Sequence, residues 1–345
     1  MVAREAISHW DYDEYMSALL EVQGLTVELP TEKRVVRPVN DVAFALGEGE
    51  ALGLVGESGS GKTMLALALL GLEPPGARRT GEAWLRLRGA PPADSSNHRV
   101  NLITASGNEL RALRGRDIAM IFQEPMTALN PVMRIGKQIE EAVCVHAPRL
   151  ERGEIRRRVL EALERAAVPD PAMRARQYPH QLSGGLRQRA MIAMALVAGP
   201  RILIADEPTT ALDVTVQKQI LELLCKLRHE LGLALLFITH DLGVVAQVAD
   251  RLTVMYAGRI VEEGPASEVL RAPRHPYTEG LLRAAPRLGG KKLAPIPGNV
   301  PRLDALPPGC AFAPRCGYRR DECERAVPEL RAASSAHRAR CILVP

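Results

Sequence analysis

The sequence predicts an α/β domain built on a parallel sheet, followed by a small, loop-rich C-terminal segment. Three short apolar stretches, residues 51–55, 202–205 and 235–239, have the length and composition of strands buried on both faces of such a sheet. The first stretch runs into a glycine-rich loop and then a helical segment at 63–72, the usual opening of a parallel α/β domain. Prolines recur after Gly264, where the periodic pattern of core elements ends.

The composition limits the class of protein. The chain has 345 residues, 46% hydrophobic and 25% charged, which leaves room for one large domain and an appendage. A net charge of only +5 and few aromatic residues give no indication of nucleic-acid binding. No apolar run approaches the roughly 20 residues of a membrane-spanning helix, and residues 1–17 lack a signal-peptide core. We therefore expect a cytoplasmic chain that acts on membranes only through partner chains.

The pattern of the remaining segments predicts the domain organisation. Turn-forming residues favour a surface insertion at 89–107, and the charged run at 149–158 is typical of a solvated helix face. The other predicted segments are strands at 19–29, 40–46, 83–87 and 118–122, a helix at 109–113 and a mostly helical region at 135–195. The predicted divisions are an N-terminal tail (1–17), a main domain (18–264) with a helical subdomain (135–195), and a C-terminal extension (265–345).

The glycine-rich loop has the composition of a phosphate-binding site. Its eight residues match the pattern G-x-x-x-x-G-K-[ST]: Gly56, Glu57, Ser58, Gly59, Ser60, Gly61, Lys62 and Thr63. Glycines let the backbone curl so that its N–H groups point at phosphate oxygens, and the following helix adds the positive end of its dipole. We expect Lys62 to reach the β- and γ-phosphates and the Thr63 hydroxyl to bind Mg²⁺. A chance glycine-rich turn is the alternative, which the position between strand and helix disfavours.

A second candidate site lies where the apolar strand at 202–205 ends in two carboxylates. Asp206 is placed to hold Mg²⁺ through its coordination shell, and Glu207 is placed to orient and polarise an attacking water. The alternative is a strand that ends in two solvated acids. The presence of the phosphate loop in the same chain favours the catalytic interpretation.

Four further motifs carry a resemblance to a known family. The segment LSGGLRQR at 182–189 resembles the signature sequence of ABC ATPases, Gln123 resembles the Q-loop glutamine, residues 211–213 resemble the D-loop, and His240 resembles the switch histidine. Together with the two sites above, these motifs appear in the family's order over residues 18–270. One departure is that residues 25–39 contain no aromatic side chain to stack on adenine. The adenine contact is therefore left open.

The resemblance implies a fold and a mechanism. The fold is a P-loop NTPase of ABC ATPase type, with a RecA-like α/β core, an antiparallel β subdomain and a helical signature subdomain. Catalysis would rest on Glu207, His240 and Gln123, with Gln123 also binding Mg²⁺. Ser183, Gly184 and Gly185 would bind the ATP held by the phosphate loop of a second chain in a head-to-tail pair. A soluble ABC ATPase acting on DNA or ribosomes is an alternative, but the chain lacks sustained heptads and a second phosphate loop.

The C-terminal extension resembles the oligopeptide, dipeptide and nickel branch of ABC importers. The matching segments are 274–282 and 307–316, and segment 123–131 of the main domain also resembles that branch. This resemblance implies the cytoplasmic face of the membrane as location and peptide uptake as function, with nickel or another small solute as the alternative cargo. The implied partners are a second ATPase subunit, sister chain or identical copy, two transmembrane permeases, and an extracytoplasmic substrate-binding protein.

Four of the six cysteines lie in the last 36 residues: Cys310, Cys316, Cys323 and Cys341. Their spacing, C-x5-C-x6-C-x17-C, matches neither a zinc ribbon nor a ferredoxin. Four thiolates can still hold a [4Fe–4S] cluster or a tetrahedral zinc, and free thiols are the third possibility. Because some members of this importer branch carry a cluster, the resemblance favours iron–sulfur with a structural role. A regulatory subunit that senses metal or redox state is a further alternative.

Overall fold

The computed structural model describes residues 18–32, 34–89, 98–210, 212–285 and 295–344. The predicted tail, residues 90–97 of the predicted insertion and Ala211 of the D-loop lie outside this part of the chain. The chain forms two compact units: the first contains the residues up to Ala105 and from Phe237 onward, and the second contains Ser106–Leu236. The extension therefore shares a unit with the phosphate loop, and the boundaries at 17 and 264 stay predictions.

The described residues form twelve strands and twelve α-helices. The strands are β1 Leu20–Pro30, β2 Val35–Leu46, β3 Ala51–Val55, β4 Arg78–Arg86, β5 Arg99–Asn101, β6 Ile118–Ile121, β7 Ile202–Asp206, β8 Ala234–Thr239, β9 Arg251–Tyr256, β10 Arg259–Pro265, β11 Arg331–Ala332 and β12 Arg338–Ala339. The helices are α1 Lys62–Leu70, α2 Gly107–Leu113, α3 Pro125–Ala128, α4 Ile135–His146, α5 Arg152–Arg165, α6 Pro171–Arg174, α7 Gly184–Leu196, α8 Val214–Leu231, α9 Leu242–Val248, α10 Ala266–Arg271, α11 Pro276–Ala284 and α12 Glu322–Arg325. No helix among the described residues is long and apolar enough to span a bilayer.

The first unit contains an antiparallel sheet in the order β2-β1-β4-β5. The β1 side chains Leu20, Val22, Leu25 and Val27 are fully buried in it. The pairing of β1 with β4 shifts register between Gln23 and Thr26, as expected of a β-bulge. This sheet is the antiparallel β subdomain that the resemblance implies.

The first unit also holds the strand that leads into the phosphate loop. Strand β3 pairs in parallel with β9, with Leu52 opposite Arg251, and all five β3 residues are buried. Helix α9 packs directly on β3: a Cβ built on Gly53 would lie 2.9 Å from Val245 Cγ1 and 3.1 Å from Ala249 Cβ. Close packing of α9 against Gly53 therefore fixes β3 three residues before the loop begins.

The second unit is a parallel strand pair covered by helices. Strands β6 and β7 pair in parallel, with Ile118 opposite Ile202, and both strands are completely buried. Helices α4, α5 and α7 contact one another, and α7 also contacts β6. Strand β8, which is also buried along its whole length, carries the chain from the second unit into the first. The α/β fold with a helical subdomain is thus confirmed.

Most predicted segments are present, with different ends. The strand at Ala51–Val55 is as predicted, whereas the strand predicted at 83–87 already begins at Arg78. The loop-rich interpretation of the extension missed three helices, α10, α11 and α12, because its prolines indicated loops. Pro276 in fact occupies the first turn of α11, where its missing N–H costs nothing.

The packing of α9 on β3 can be tested by adding one methyl group. Gly53→Ala should destabilise the chain by about 1–3 kcal/mol, because the new Cβ overpacks against Val245 and Ala249. Gly153→Ala is the matched control, since a Cβ at Gly153 meets open space. Urea denaturation followed by circular dichroism measures both variants, and equal midpoints would contradict the prediction.

Candidate functional site

The Lys62 side chain folds back onto the phosphate loop and binds it internally. Lys62 is 4% exposed, and its Nζ donates to the Gly56 carbonyl at 2.7 Å, the Glu57 carbonyl at 3.0 Å and Ser60 Oγ at 3.3 Å. Gly61 has φ +105, and any side chain there would collide with the Pro38 carbonyl. A side chain at Gly56 would collide with the Met255 carbonyl. The loop thus requires glycine at both positions, as the motif predicts.

Helix α1 presents its N-terminus to this loop. No side chain caps the helix, and its first turn contains no acidic residue. The first N–H groups and the positive end of the helix dipole are therefore available to an anion. Thr63 lies exposed in this first turn, where its hydroxyl is an oxygen donor of the kind that Mg²⁺ prefers. The residues of the loop fit the phosphates of a nucleotide.

The two predicted carboxylates lie at the end of β7 in the second unit. Asp206 is 1% exposed, and its carboxylate oxygens suit Mg²⁺ by their chemistry. Glu207 has φ 45, a left-handed conformation that is costly for a residue with a long side chain. Such strain is typical of functional positions, because the surrounding structure must hold it in place.

Two side chains hold the Glu207 carboxylate. Gln123 Nε2 donates to Glu207 Oε2 at 3.2 Å, and Thr210 Oγ1 donates to the same oxygen at 2.8 Å. The structure thus brings together Gln123 and Glu207, which are 84 positions apart and were predicted from separate motifs. Sequence reasoning missed Thr210, although a hydroxyl three residues after the glutamate was a usable signal.

The signature residues form an exposed helix start. Ser183 caps α7, its Oγ accepting a hydrogen bond from Leu186 N at 3.4 Å, and both Ser183 and Gly184 are exposed. A Cβ at Gly185 would lie 2.7 Å from Val216 Cγ1, so glycine permits the close approach of α7 and α8. The N-terminal amides of α7 therefore face the surface of the second unit, as an anion-binding site between chains requires.

His240 follows β8 directly and lies exposed in the first unit. The backbone after it is fixed by Asp241, whose Oδ1 accepts hydrogen bonds from Gly243 N at 2.7 Å and Val244 N at 3.3 Å. Asp241 N in turn donates to Thr239 Oγ1 at 3.1 Å. The peptide segment that presents His240 is thus held on both sides, while its imidazole faces outward.

The four C-terminal cysteines line one apolar cavity together with Phe312 and Leu343. They are free thiols, and burial raises the pKa of Cys310, Cys316 and Cys341. Among the residues that the structure describes, no group of three or more His, Cys, Asp or Glu side chains is placed to hold a metal ion. The expected [4Fe–4S] cluster, and the zinc alternative, are therefore not supported.

Comparison with known proteins places this geometry in a family. The profile of the ABC transporter family matches residues 39–210, and that of the oligopeptide/dipeptide transporter C-terminal region matches residues 261–323. A protein of Brucella ovis named as a peptide import ATP-binding protein is 51% identical over an alignment of 339 positions, which covers 94% of this chain and 96% of the relative. The chain belongs to the ABC transporter family. Within that family it is an ABC-type ATPase, as the sequence motifs predicted.

A second relative and two solved structures point to the same family. A Brucella abortus protein, also named as a peptide import ATP-binding protein, is 49% identical over 312 residues, which are 90% of each chain. The structure is similar to a dimeric ATP-binding cassette bound to ADP and phosphate, with TM-score 0.61 and 27% identity, covering 72% of this chain and 98% of that one. It is also similar to a subunit of an ABC transporter complex from Clostridium perfringens, with TM-score 0.57 and 26% identity. That similarity covers 74% of this chain and 92% of the other. The ABC ATPase fold is confirmed.

The extension also contains a buried network around His275, which is 2% exposed. Its Nδ1 accepts a hydrogen bond from Tyr277 N at 3.0 Å, and its backbone N–H donates to Glu262 Oε2 at 2.9 Å. His337 Nε2 lies 2.7 Å from Glu262 Oε1. Burial lowers the pKa of His275 to about 4, with the positive charge of Arg340 acting in the same direction and Glu262 opposing it.

The depressed pKa of His275 predicts a loss of stability in acid. The unfolded chain binds a proton at this histidine near pH 6.5 and the folded chain only near 4, so folding loses free energy as the pH falls between these values. From pH 7 to pH 5 the expected contribution is about 2 kcal/mol. His275→Asn keeps a cap for Tyr277 N but does not titrate. Between pH 7 and pH 5 the free energy of unfolding of this variant should therefore fall by about 2 kcal/mol less than that of the wild type. Urea denaturation at both pH values measures this, and equal losses in the two proteins would disprove it.

Proposed function

We propose that this chain is the ATP-hydrolysing subunit of an importer that carries dipeptides or oligopeptides across the cytoplasmic membrane, at whose cytoplasmic face it works. The observation that carries the proposal is the joint presence of the ATPase motifs and an extension that matches the oligopeptide/dipeptide transporter C-terminal region. The names of the relatives from Brucella support it. Nickel or another small solute is the alternative cargo, because this chain contains no part of the cargo-capturing subunit.

The phosphate loop is the proposed binding site for the ATP phosphates. The N–H groups of residues 56–63 and the start of α1 bind the phosphate oxygens, and the Lys62 ammonium moves from the loop carbonyls to the β- and γ-phosphates. Thr63, Asp206 and Gln123 are the proposed Mg²⁺ ligands, directly or through the coordination shell. When bound, Mg²⁺ neutralises charge that develops on the phosphates.

Glu207 is the proposed catalytic base. Hydrogen bonds from Gln123 and Thr210 to Oε2 hold the carboxylate that would accept a hydrogen bond, and then the proton, from the attacking water. The strained backbone at Glu207 supports this role, because it fixes the direction of the carboxylate. His240 is the proposed switch residue, which contacts the γ-phosphate or its leaving group in the closed pair.

The signature residues support a two-chain mechanism. Ser183, Gly184 and Gly185 would bind the γ-phosphate of ATP held by the phosphate loop of a second ATPase subunit, either a sister chain or an identical copy. The similarity to a dimeric cassette bound to ADP and phosphate supports this arrangement. The pair would dock on two transmembrane permeases, and an extracytoplasmic binding protein would deliver the cargo.

Replacing Glu207 separates binding from hydrolysis. Glu207→Gln should bind MgATP with wild-type affinity and lose at least about 100-fold in turnover, because the amide cannot accept the proton of the water. ATPase assays and nucleotide titration on the assembled complex measure the two quantities. Glu230→Gln, at an exposed ion pair on α8, is the control and should leave both unchanged. Wild-type turnover in Glu207→Gln would refute the assigned role.

The cargo is tested in the reconstituted complex. Proteoliposomes with both ATPase subunits, the permeases and the binding protein should hydrolyse ATP faster when a dipeptide or oligopeptide is supplied outside. Uptake of a radiolabelled peptide should require ATP inside and should be absent with Glu207→Gln. Stimulation and uptake with nickel alone would support the alternative cargo instead.

A further inference from the structure

The extension reaches into the phosphate loop through one arginine. Arg315 Nη1 lies 2.7 Å from Glu57 Oε2, and Nη2 lies 3.0 Å from Glu57 Oε1. Glu57 is the second residue of the loop. The Arg315 side chain is only 4% exposed, against 29% for Glu57. Two parallel charge-assisted hydrogen bonds of this kind give strength and fix the direction of the carboxylate.

Arg315 is held in place by groups other than Glu57. Its Nε donates to the Pro297 carbonyl at 2.9 Å, and its Nη1 donates to the Tyr256 hydroxyl at 3.3 Å. The guanidinium carbon lies 5.9 Å from the ring centres of both Tyr256 and Phe312, within the range of cation–π attraction. The extension therefore presents a preorganised positive charge to the loop.

A second contact fixes the Glu57 backbone. The fully buried Tyr277 accepts a hydrogen bond from Glu57 N at its hydroxyl oxygen, at 2.7 Å. Its ring packs 4.5 Å from that of Tyr256 and 5.4 Å from that of Phe312, measured between centres. The Glu57 carbonyl accepts from Lys62 Nζ at 3.0 Å. One residue thus connects two side chains of the extension to the lysine of the phosphate loop.

The charge of Glu57 is unfavourable for the ligand of this loop. A carboxylate beside a site for a polyanion repels that anion, unless a positive group neutralises it. We propose that Arg315 is a positioning residue of the nucleotide site, which holds the Glu57 carboxylate and cancels its charge from the C-terminal extension. This inference rests on the proposed nucleotide-binding role of residues 56–63. It makes ATP affinity depend on a residue 258 positions away in the chain.

A double-mutant cycle that removes the charges of Glu57 and Arg315 in the full chain tests the inference. Arg315→Gln should weaken MgATP binding by about tenfold, because Glu57 then faces the phosphates uncompensated. Glu57→Gln alone should bind at least as tightly as wild type, and the double variant Glu57→Gln/Arg315→Gln should recover to within about twofold of it. Arg302→Gln is the control, since Arg302 forms an exposed ion pair with Asp304 in the same extension. Its affinity should equal that of wild type.

The charge of the ligand separates compensation from simple loss of structure. The loss in Arg315→Gln should be largest for MgATP, smaller for AMP and absent for adenosine, whereas a distorted loop would not be repaired by Glu57→Gln. Arg315→Lys keeps the charge but loses the bidentate geometry, so its affinity should fall between those of wild type and Arg315→Gln. Unchanged MgATP affinity in Arg315→Gln, or a double variant as weak as the single one, would overturn the inference. Failure of wild type itself to bind MgATP would instead refute the proposed function.

Discussion

The close approach of backbone to backbone around the phosphate loop is the constraint on which the conformation of this loop depends. At Gly56 and Gly61 a side chain would collide with the Met255 and Pro38 carbonyls, from β9 and β2. The loop is thereby held between two strands that belong to different sheets of the first unit. Strand β3, fixed by α9 through Gly53, delivers the chain to this position. Each of these elements determines where the N–H groups of the loop point.

In the second unit the constraint concerns the orientation of a carboxylate rather than the curvature of a loop. Burial of β7 brings Asp206 and Glu207 to the end of a rigid strand, and a strained left-handed backbone turns the Glu207 side chain. Gln123 and Thr210 then bind the same oxygen. A rigid strand, a strained strand end and converging donors place a carboxylate more accurately than a flexible loop would.

Local patterns in the sequence were enough to predict the buried strands, the phosphate loop and the carboxylates. Continuous apolar runs and a glycine motif of this kind are compatible with few other local structures. The contact of Glu57 with Arg315 and Tyr277 could not be predicted from the sequence, because it joins distant segments and follows no spacing rule. The four cysteines show the opposite failure: clustering in sequence and a family resemblance predicted a metal site that the side-chain positions do not support.

The separation of 258 residues between Glu57 and Arg315 has a consequence for synthesis of the protein. The phosphate loop leaves the ribosome 258 residues before its counter-charge. A nascent chain therefore carries a loop with an uncancelled carboxylate until Arg315 has been added and the extension has folded around it.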